Sequence, residues 1–190
     1  MAKKKLILVT SPPACGKTFV TKTLARALNN CVYLDKDDLI VLSKQIYKVA
    51  GEPFDRSSDF FHEYIRDAEY DAILEVALNA LNYNDTVLIN APFKKEVRSR
   101  EWIDMMKKKL AAKNAVLCII WVHTDIEVVH QRMITRNSER DTWKIEHWDE
   151  YVATQNYDPP EDIPELFIFK NSSDDEFDES IGQAVDFIRN

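Results

Sequence analysis

Ser11-Pro12-Pro13-Ala14-Cys15-Gly16-Lys17-Thr18 decides the reading of this chain. The stretch follows the apolar run Leu6–Val9 and opens a helical pattern about residues 17–29, with Phe19, Val20, Leu24, Ala27 and Leu28 at helical spacing. Strand, loop and helix in that order form a phosphate-binding loop of Walker A type, with Ser11 at the first glycine position. A helix start leaves backbone N–H groups unpaired, and phosphate oxygens accept them. Lys17 reaches the terminal phosphates and Thr18 offers a hydroxyl to Mg²⁺, so a nucleotide and Mg²⁺ are the expected ligands. Ser11, Pro13, Ala14, Cys15, Gly16, Lys17, Thr18 and Phe19 are the expected loop contacts.

Outward from the loop, apolar strands alternate with helices. Cys31–Leu34 reads as a second strand, 86–89 as a third, 115–122 as a fourth and 166–169 as a fifth. The near-continuous apolar run from Ala115 to Val122 suits a parallel strand covered on both faces. Intervening helices are expected over 39–49, 59–81, 94–112, from Thr124 or Asp125 through Met133, and over 177–188. In 59–81 the inward residues are read as Phe60, Tyr64, Ala68, Ile73, Val76, Ala77 and Leu81, with Ser57 or Ser58 as cap. The pattern predicts an α/β fold: a three-layer α/β/α sandwich on five parallel strands. One domain spans 1–190, with an acceptor-side helical segment about 41–82 and a lid about 130–144.

Composition bounds the partners. The chain has 190 residues, 45% hydrophobic, with a formal net charge of −7, which argues against a broad nucleic-acid surface. Three cysteines, Cys15, Cys31 and Cys118, show no metal-ligand spacing; Cys31 and Cys118 read as core, Cys15 as a loop spacer or an oxidisable thiol. Lys3-Lys4-Lys5 with Leu6–Val9 is too short for a signal segment, and nothing approaches the roughly 20 apolar residues of a membrane span. A cytoplasmic protein without a membrane partner is the expectation.

Ligands of open α/β sheets sit beyond the carboxyl ends of the strands. Asp35, Asp37 and Asp38 follow the second strand, where a carboxylate can take the proton of an acceptor hydroxyl. Asp37 is the candidate base, with Asp35 or Asp38 acting through a metal-bound water or on the acceptor; a solvated helix-capping cluster is the alternative. Asn90 stands at the end of the third strand, where an acidic Walker B residue is common, and can hold a metal-bound water. Thr18, Asp35, Asp37 and Asn90 are therefore the candidate metal residues.

Arg132, Arg136 and Arg140 lie four apart after the fourth strand, with His130, Asn137 and Lys144 nearby. A hinged lid carrying them would bring positive charge to a transferring phosphoryl group and exclude water. The alternative is a solvated face in which Glu139 and Asp141 pair the arginines. Asn171 and Ser172 sit where a nucleobase edge is read, Phe93 is read as pocket lining or core, and Trp143, Trp148 and Tyr151 as stacking or anchoring aromatics. Arg56 and Arg66 would line a basic groove if the acceptor were phosphorylated or a nucleic-acid end.

On these residues the chain resembles the small phosphate-loop kinases related to polynucleotide kinase, chloramphenicol phosphotransferase and the zeta-toxin kinases. The carriers are Ser11–Thr18, Lys36-Asp37-Asp38, Asn90-Ala91-Pro92-Phe93, Arg132–Arg136 and Arg140-Asp141. The resemblance implies a P-loop NTPase fold with strand order 2-3-1-4-5, Asp37 as activator of the acceptor hydroxyl, and Arg132 and Arg136, with Arg140, on the phosphates. It implies an ATP-dependent phosphotransferase acting on a small-molecule or nucleotide-like alcohol. Ile40 stands where polynucleotide kinases carry an arginine, which counts against a nucleic-acid 5′-hydroxyl acceptor. A nucleotide-gated binding module and a polynucleotide 5′-hydroxyl kinase remain the competing functions.

Overall fold

A computed structural model describes residues 3–138 and 141–190; Arg140 and Glu139 lie outside the described residues. Five parallel strands, β1 (Lys4–Thr10), β2 (Val32–Asp35), β3 (Thr86–Asn90), β4 (Ala115–His123) and β5 (Leu166–Lys170), form one sheet of order β2-β3-β1-β4-β5. β1 is central, with Ile7 opposite both Leu88 on β3 and Cys118 on β4. The helices are α1 (Lys17–Leu28), α2 (Ile40–Ala50), α3 (Arg66–Ala80), α4 (Arg100–Ala111), α5 (Ile126–Arg136), α6 (Thr142–Glu146), α7 (Trp148–Ala153) and α8 (Asp174–Arg189).

Alternate residues of the strands feed two separate cores. Leu6, Leu8, Val87, Ile89, Ile119 and Trp121 pack with Ile73 and Ala77 of α3 and Ile103 and Leu110 of α4. Ile7, Val9, Leu88, Ile120 and Val122 pack with Val20 and Leu24 of α1, Val129 and Met133 of α5, and Ala184 and Ile188 of α8. This is the predicted three-layer α/β/α sandwich, and the strand order matches the one the resemblance implied. Each fully buried Leu or Ile contributes roughly 1.5–3 kcal/mol, so the doubly covered central strands dominate stability. No helix among the described residues is long and apolar enough to cross a membrane.

Three local expectations are corrected. Tyr64, Ala68 and Val76 are exposed and Phe61 and Ile65 are buried in their stead. For Tyr64 and Ala68 the cause is a π-turn at Phe61–Ile65, which inserts one residue into the helical phase and shifts the inward face there by one; Val76 lies beside Ala77, which takes the inward position. Ser58 caps that helix, its Oγ accepting from the Phe61 N–H at 3.2 Å. The stretch 94–112 is a 3₁₀ turn at Glu96–Arg98 followed by α4, because Ser99 is extended and caps α4 by accepting from the Trp102 N–H. Phe19 points outward at 62% exposure, and Phe93 is core, edge-on to Tyr70.

A buried ion cluster joins β2 to the segment that follows it. Glu69 of α3 accepts from Lys36 Nζ at 2.6 Å, from Ser43 Oγ at 2.5 Å, and from both Arg56 terminal nitrogens at 2.9 and 2.8 Å. Burial alone would raise the Glu69 pKa, but the hydrogen bonds from Arg56, Lys36 and Ser43 outweigh it and hold the carboxyl below its ordinary range. Its stabilisation is therefore complete above the unfolded-state value of about 4.3 and is lost as pH falls through the depressed folded value. Glu69→Leu strands the buried Lys36 charge and is expected to cost about 3–5 kcal/mol in urea unfolding at neutral pH. The variant should also lack this component of the acid-unfolding slope.

Candidate active site

The phosphate loop is held open by its backbone. Gly16 caps α1 in the left-handed region at φ +83°, and Ala14 also sits at φ +63°. Ser11 is not among the left-handed residues, so serine at the first motif glycine carries no backbone penalty. Behind the loop, the Cys15 carbonyl accepts from Asn171 Nδ2 at 2.7 Å and from Thr124 Oγ1 at 3.1 Å. A Cβ on Gly16 would lie 2.5 Å from that same Asn171 Nδ2. Gly16→Ala is thus strained and clashing; we expect a loss of about 1–3 kcal/mol and a weakened nucleotide-induced rise in melting temperature. Cys15 is buried, and burial pushes its thiol up to about 12, away from the thiolate form.

Asn90 is the junction of the site. Its Oδ1 accepts from Lys17 Nζ at 2.5 Å and from Thr21 Oγ1 at 3.3 Å. Its Nδ2 donates to Asp35 Oδ2 at 2.7 Å and points at Thr18 Oγ1 at 3.4 Å. Only one amide orientation satisfies an ammonium on one side and a carboxylate on the other. Through these bonds Asn90 ties the loop lysine on one side to the β2 carboxylate on the other. Burial would raise the Asp35 pKa, yet the Asn90, Tyr33 and Asp37 N–H bonds, with the Lys17 charge, keep it below the usual range. Burial also lowers Lys17 to about 8, against the opposing pull of Asp35 and Asp37.

Asp35, not Asp37 or Asp38, performs the capping. It closes β2, and its Oδ1 accepts from the Asp37 N–H at 3.0 Å, starting the 3₁₀ turn Lys36–Leu39. Asp37 is left exposed on the wall of a cavity of about 400 Å³ that Lys17, Thr18, Asn90, Pro92, Lys94, Arg136 and Lys144 also line. Thr18 Oγ1 could ligate Mg²⁺, a cation that keeps several waters and takes phosphate oxygens, while Asp35, whose two oxygens accept from the Asp37 N–H, Asn90 and Tyr33, could reach it through one of those waters. No group of three His, Cys, Asp or Glu side chains able to hold a metal exists among the described residues, so water and phosphate oxygens would supply most of the shell.

The arginines divide between two cavities. Arg136 donates through Nε to Asp141 Oδ2 at 2.8 Å and pairs with it again through a terminal nitrogen, while Lys144 reaches the other carboxylate oxygen at 3.2 Å. Arg132, one turn back, donates to the Asn171 carbonyl at 2.8 Å and to Thr124 Oγ1 at 3.3 Å. It lines a second cavity of about 540 Å³ with Gly16, Phe19, Asn171 and Phe177, where the Phe19 and Phe177 rings lie 5.1 Å apart. Trp148 stacks on His130 at 4.0 Å, and Trp143 on His147, so these aromatics brace the segment after α5. Arg56 is bound to Glu69, and Arg66 to Asp67 and Glu96, so the two arginines do not form the free basic groove that the alternative of a phosphorylated or nucleic-acid acceptor predicts there. Four lining residues went unread in the sequence: Lys94, and Asp174, Phe177 and Asp178 of α8. A lysine four residues past a strand end carries no motif, and helix α8 is distant in sequence from the loop it meets.

A phosphate loop on β1, a strand order of β2-β3-β1-β4-β5 and a carboxylate beyond β2 define a P-loop nucleotide-binding protein. Its family is the AAA domain family, which matches residues 6–159, and the chain belongs to it. Comparison with curated protein sequences gives no match. Among solved structures the fold is similar to a protein from Chloroflexus aurantiacus J-10-fl (16% identity, 98% of this chain and 97% of that one, TM-score 0.63). It is also similar to a gluconokinase from Sinorhizobium meliloti 1021 (13%, 98% and 91%, 0.58) and a shikimate kinase from Bacteroides thetaiotaomicron (13%, 100% and 100%, 0.53).

Proposed function

We propose that the chain is an ATP-dependent phosphotransferase that moves the γ-phosphate to a hydroxyl of a small-molecule acceptor. The observation that carries this reading is that Asp37 and Lys17 line one cavity beside the phosphate loop. The loop N–H groups and Lys17 would hold the phosphates, and Thr18, with Asp35 through water, would hold Mg²⁺. The metal supplies charge neutralisation on the phosphate oxygens. Asp37 takes the proton as the acceptor oxygen bonds to the γ-phosphorus and the bond to the β–γ bridging oxygen breaks, releasing ADP. Arg136, leaving Asp141, meets the developing oxygen charge, while Arg132 and Asn171 serve the nucleoside side with Phe19 and Phe177. The segment 130–144 acts as the lid and the segment 41–82 as the acceptor side. Kinase names among the fold neighbours agree with the reaction class, and we place the chain nearest the small kinases of the polynucleotide kinase, chloramphenicol phosphotransferase and zeta-toxin type, in the cytoplasm.

A screen of hydroxylated metabolites, nucleosides, aminoglycosides and oligonucleotide 5′ ends for ATP consumption, followed by product mass, tests the proposal. ADP formation with a phosphorylated product supports it; tight ATP binding with no transfer to any acceptor overturns it. That second outcome would favour a nucleotide-gated partner-binding module, for which the exposed apolar residues of α2, Val41, Leu42 and Val49, are the supporting observation.

A further inference from the structure

The protein carries a formal charge of −7, yet the cavity that holds Asp37 gathers Lys17, Lys94, Arg136 and Lys144 on its wall. Three of these cations are already engaged. Lys17 belongs to the phosphate loop and donates to Asn90. Arg136 and Lys144 share the fully buried carboxylate of Asp141.

Lys94 differs. Its Nζ donates to the neutral amide oxygen of Gln155 at 3.1 Å, and among the described residues no carboxylate comes within 4.0 Å of it. An ammonium has three donors, and one amide oxygen answers only one of them. Burial lowers its pKa, and the nearby Arg98 charge lowers it further, so a bound anion would relieve both.

The sheet register says what reaches Lys94. β3 lies between β2 and β1, with Asn90 opposite Asp35 on one side and Val9 on the other. Asp37 follows β2 and the phosphate loop follows β1. A hydroxyl shared between Asp37 and a phosphate in the loop must therefore sit over the end of β3, against Pro92 and Lys94. Accordingly we infer that the acceptor is an anionic alcohol, whose carboxylate or phosphate group is bound by the Lys94 ammonium. The inference rests on the phosphotransferase reading and names its acceptor class.

The test uses the full chain saturated with Mg²⁺ and the non-hydrolysable analogue AMPPNP, so that the loop and Lys17 are occupied. Inorganic phosphate, D-glycerate and neutral glycerol are then titrated calorimetrically. At least one anion is expected to bind, with glycerol at least about tenfold weaker. Lys94→Met should weaken the anion by about tenfold or more and leave AMPPNP affinity essentially unchanged, and Lys94→Arg should retain the anion. Tighter phosphate points to a phosphorylated acceptor, tighter glycerate to a carboxylate. The inference is overturned if neither anion binds the loaded protein, or if Lys94→Met binds them as the wild type does. It is equally overturned if Lys94→Met weakens AMPPNP as much as the anion, which assigns Lys94 to the nucleotide. Failure of AMPPNP itself to bind is a separate result that removes the nucleotide reading together with this one.

Discussion

Asp37→Asn is expected to slow phosphoryl transfer by about 10²- to 10⁴-fold, the usual weight of a positioned general base. ATP affinity should barely change. The substitution is nearly isosteric, and the 3₁₀ turn that carries residue 37 is capped by Asp35 accepting from its backbone N–H, which asparagine retains. The residue is exposed on the cavity wall, so no packing is lost. Rate measurements with the acceptor from the screen, beside calorimetric ATP binding, check the split. A wild-type rate in the variant removes Asp37 from the chemistry, and an equal loss of ATP binding makes its role structural.

Lys17→Met is expected to act on both binding and rate. Removing one partner of a desolvated charge pair costs about 2–5 kcal/mol, or roughly 30-fold upward in nucleotide affinity. Loss of a cation aimed at the transferring phosphoryl group removes a further 10²- to 10³-fold, in order of magnitude, from turnover. Burial has lowered the Lys17 pKa to about 8, so the free protein gives up this proton as pH rises past that value. Phosphate favours the protonated form, binding takes the proton back, and wild-type affinity should weaken above pH 8. The methionine variant should show no such weakening. Titrations of ADP between pH 7 and 9.5 with both proteins read this directly.

What the sequence reveals follows from how local each signal is. The loop, the five strands and the alternation of strand and helix are written in contiguous residues, and each was legible. The face of α3 was misread because a π-turn is a backbone event that no residue between Phe61 and Ile65 announces. The arginine spacing correctly placed Arg132 and Arg136 on one helix, but spacing says nothing about the carboxylate that meets them. Asp141, near in sequence, is the partner of Arg136; Arg132 instead turns to Asn171, a residue from the far end of the chain. Asn90 was noticed as an exception to an acidic position, and its ties to Lys17 and Asp35 depend on the pairing of β2 with β3, which only the fold supplies.

That pairing has a historical consequence. Asp35 and Asn90 stand directly opposite each other on neighbouring strands, joined side chain to side chain. Between them they hold one negative charge, carried on β2 where the usual arrangement places it on β3. Two acids there would repel and share a proton, and two amides would leave Lys17 with only the charge of Asp37 to offset its burial. The two positions are therefore coupled: exchanging the acid and the amide between the strands preserves the charge, whereas changing either one alone does not.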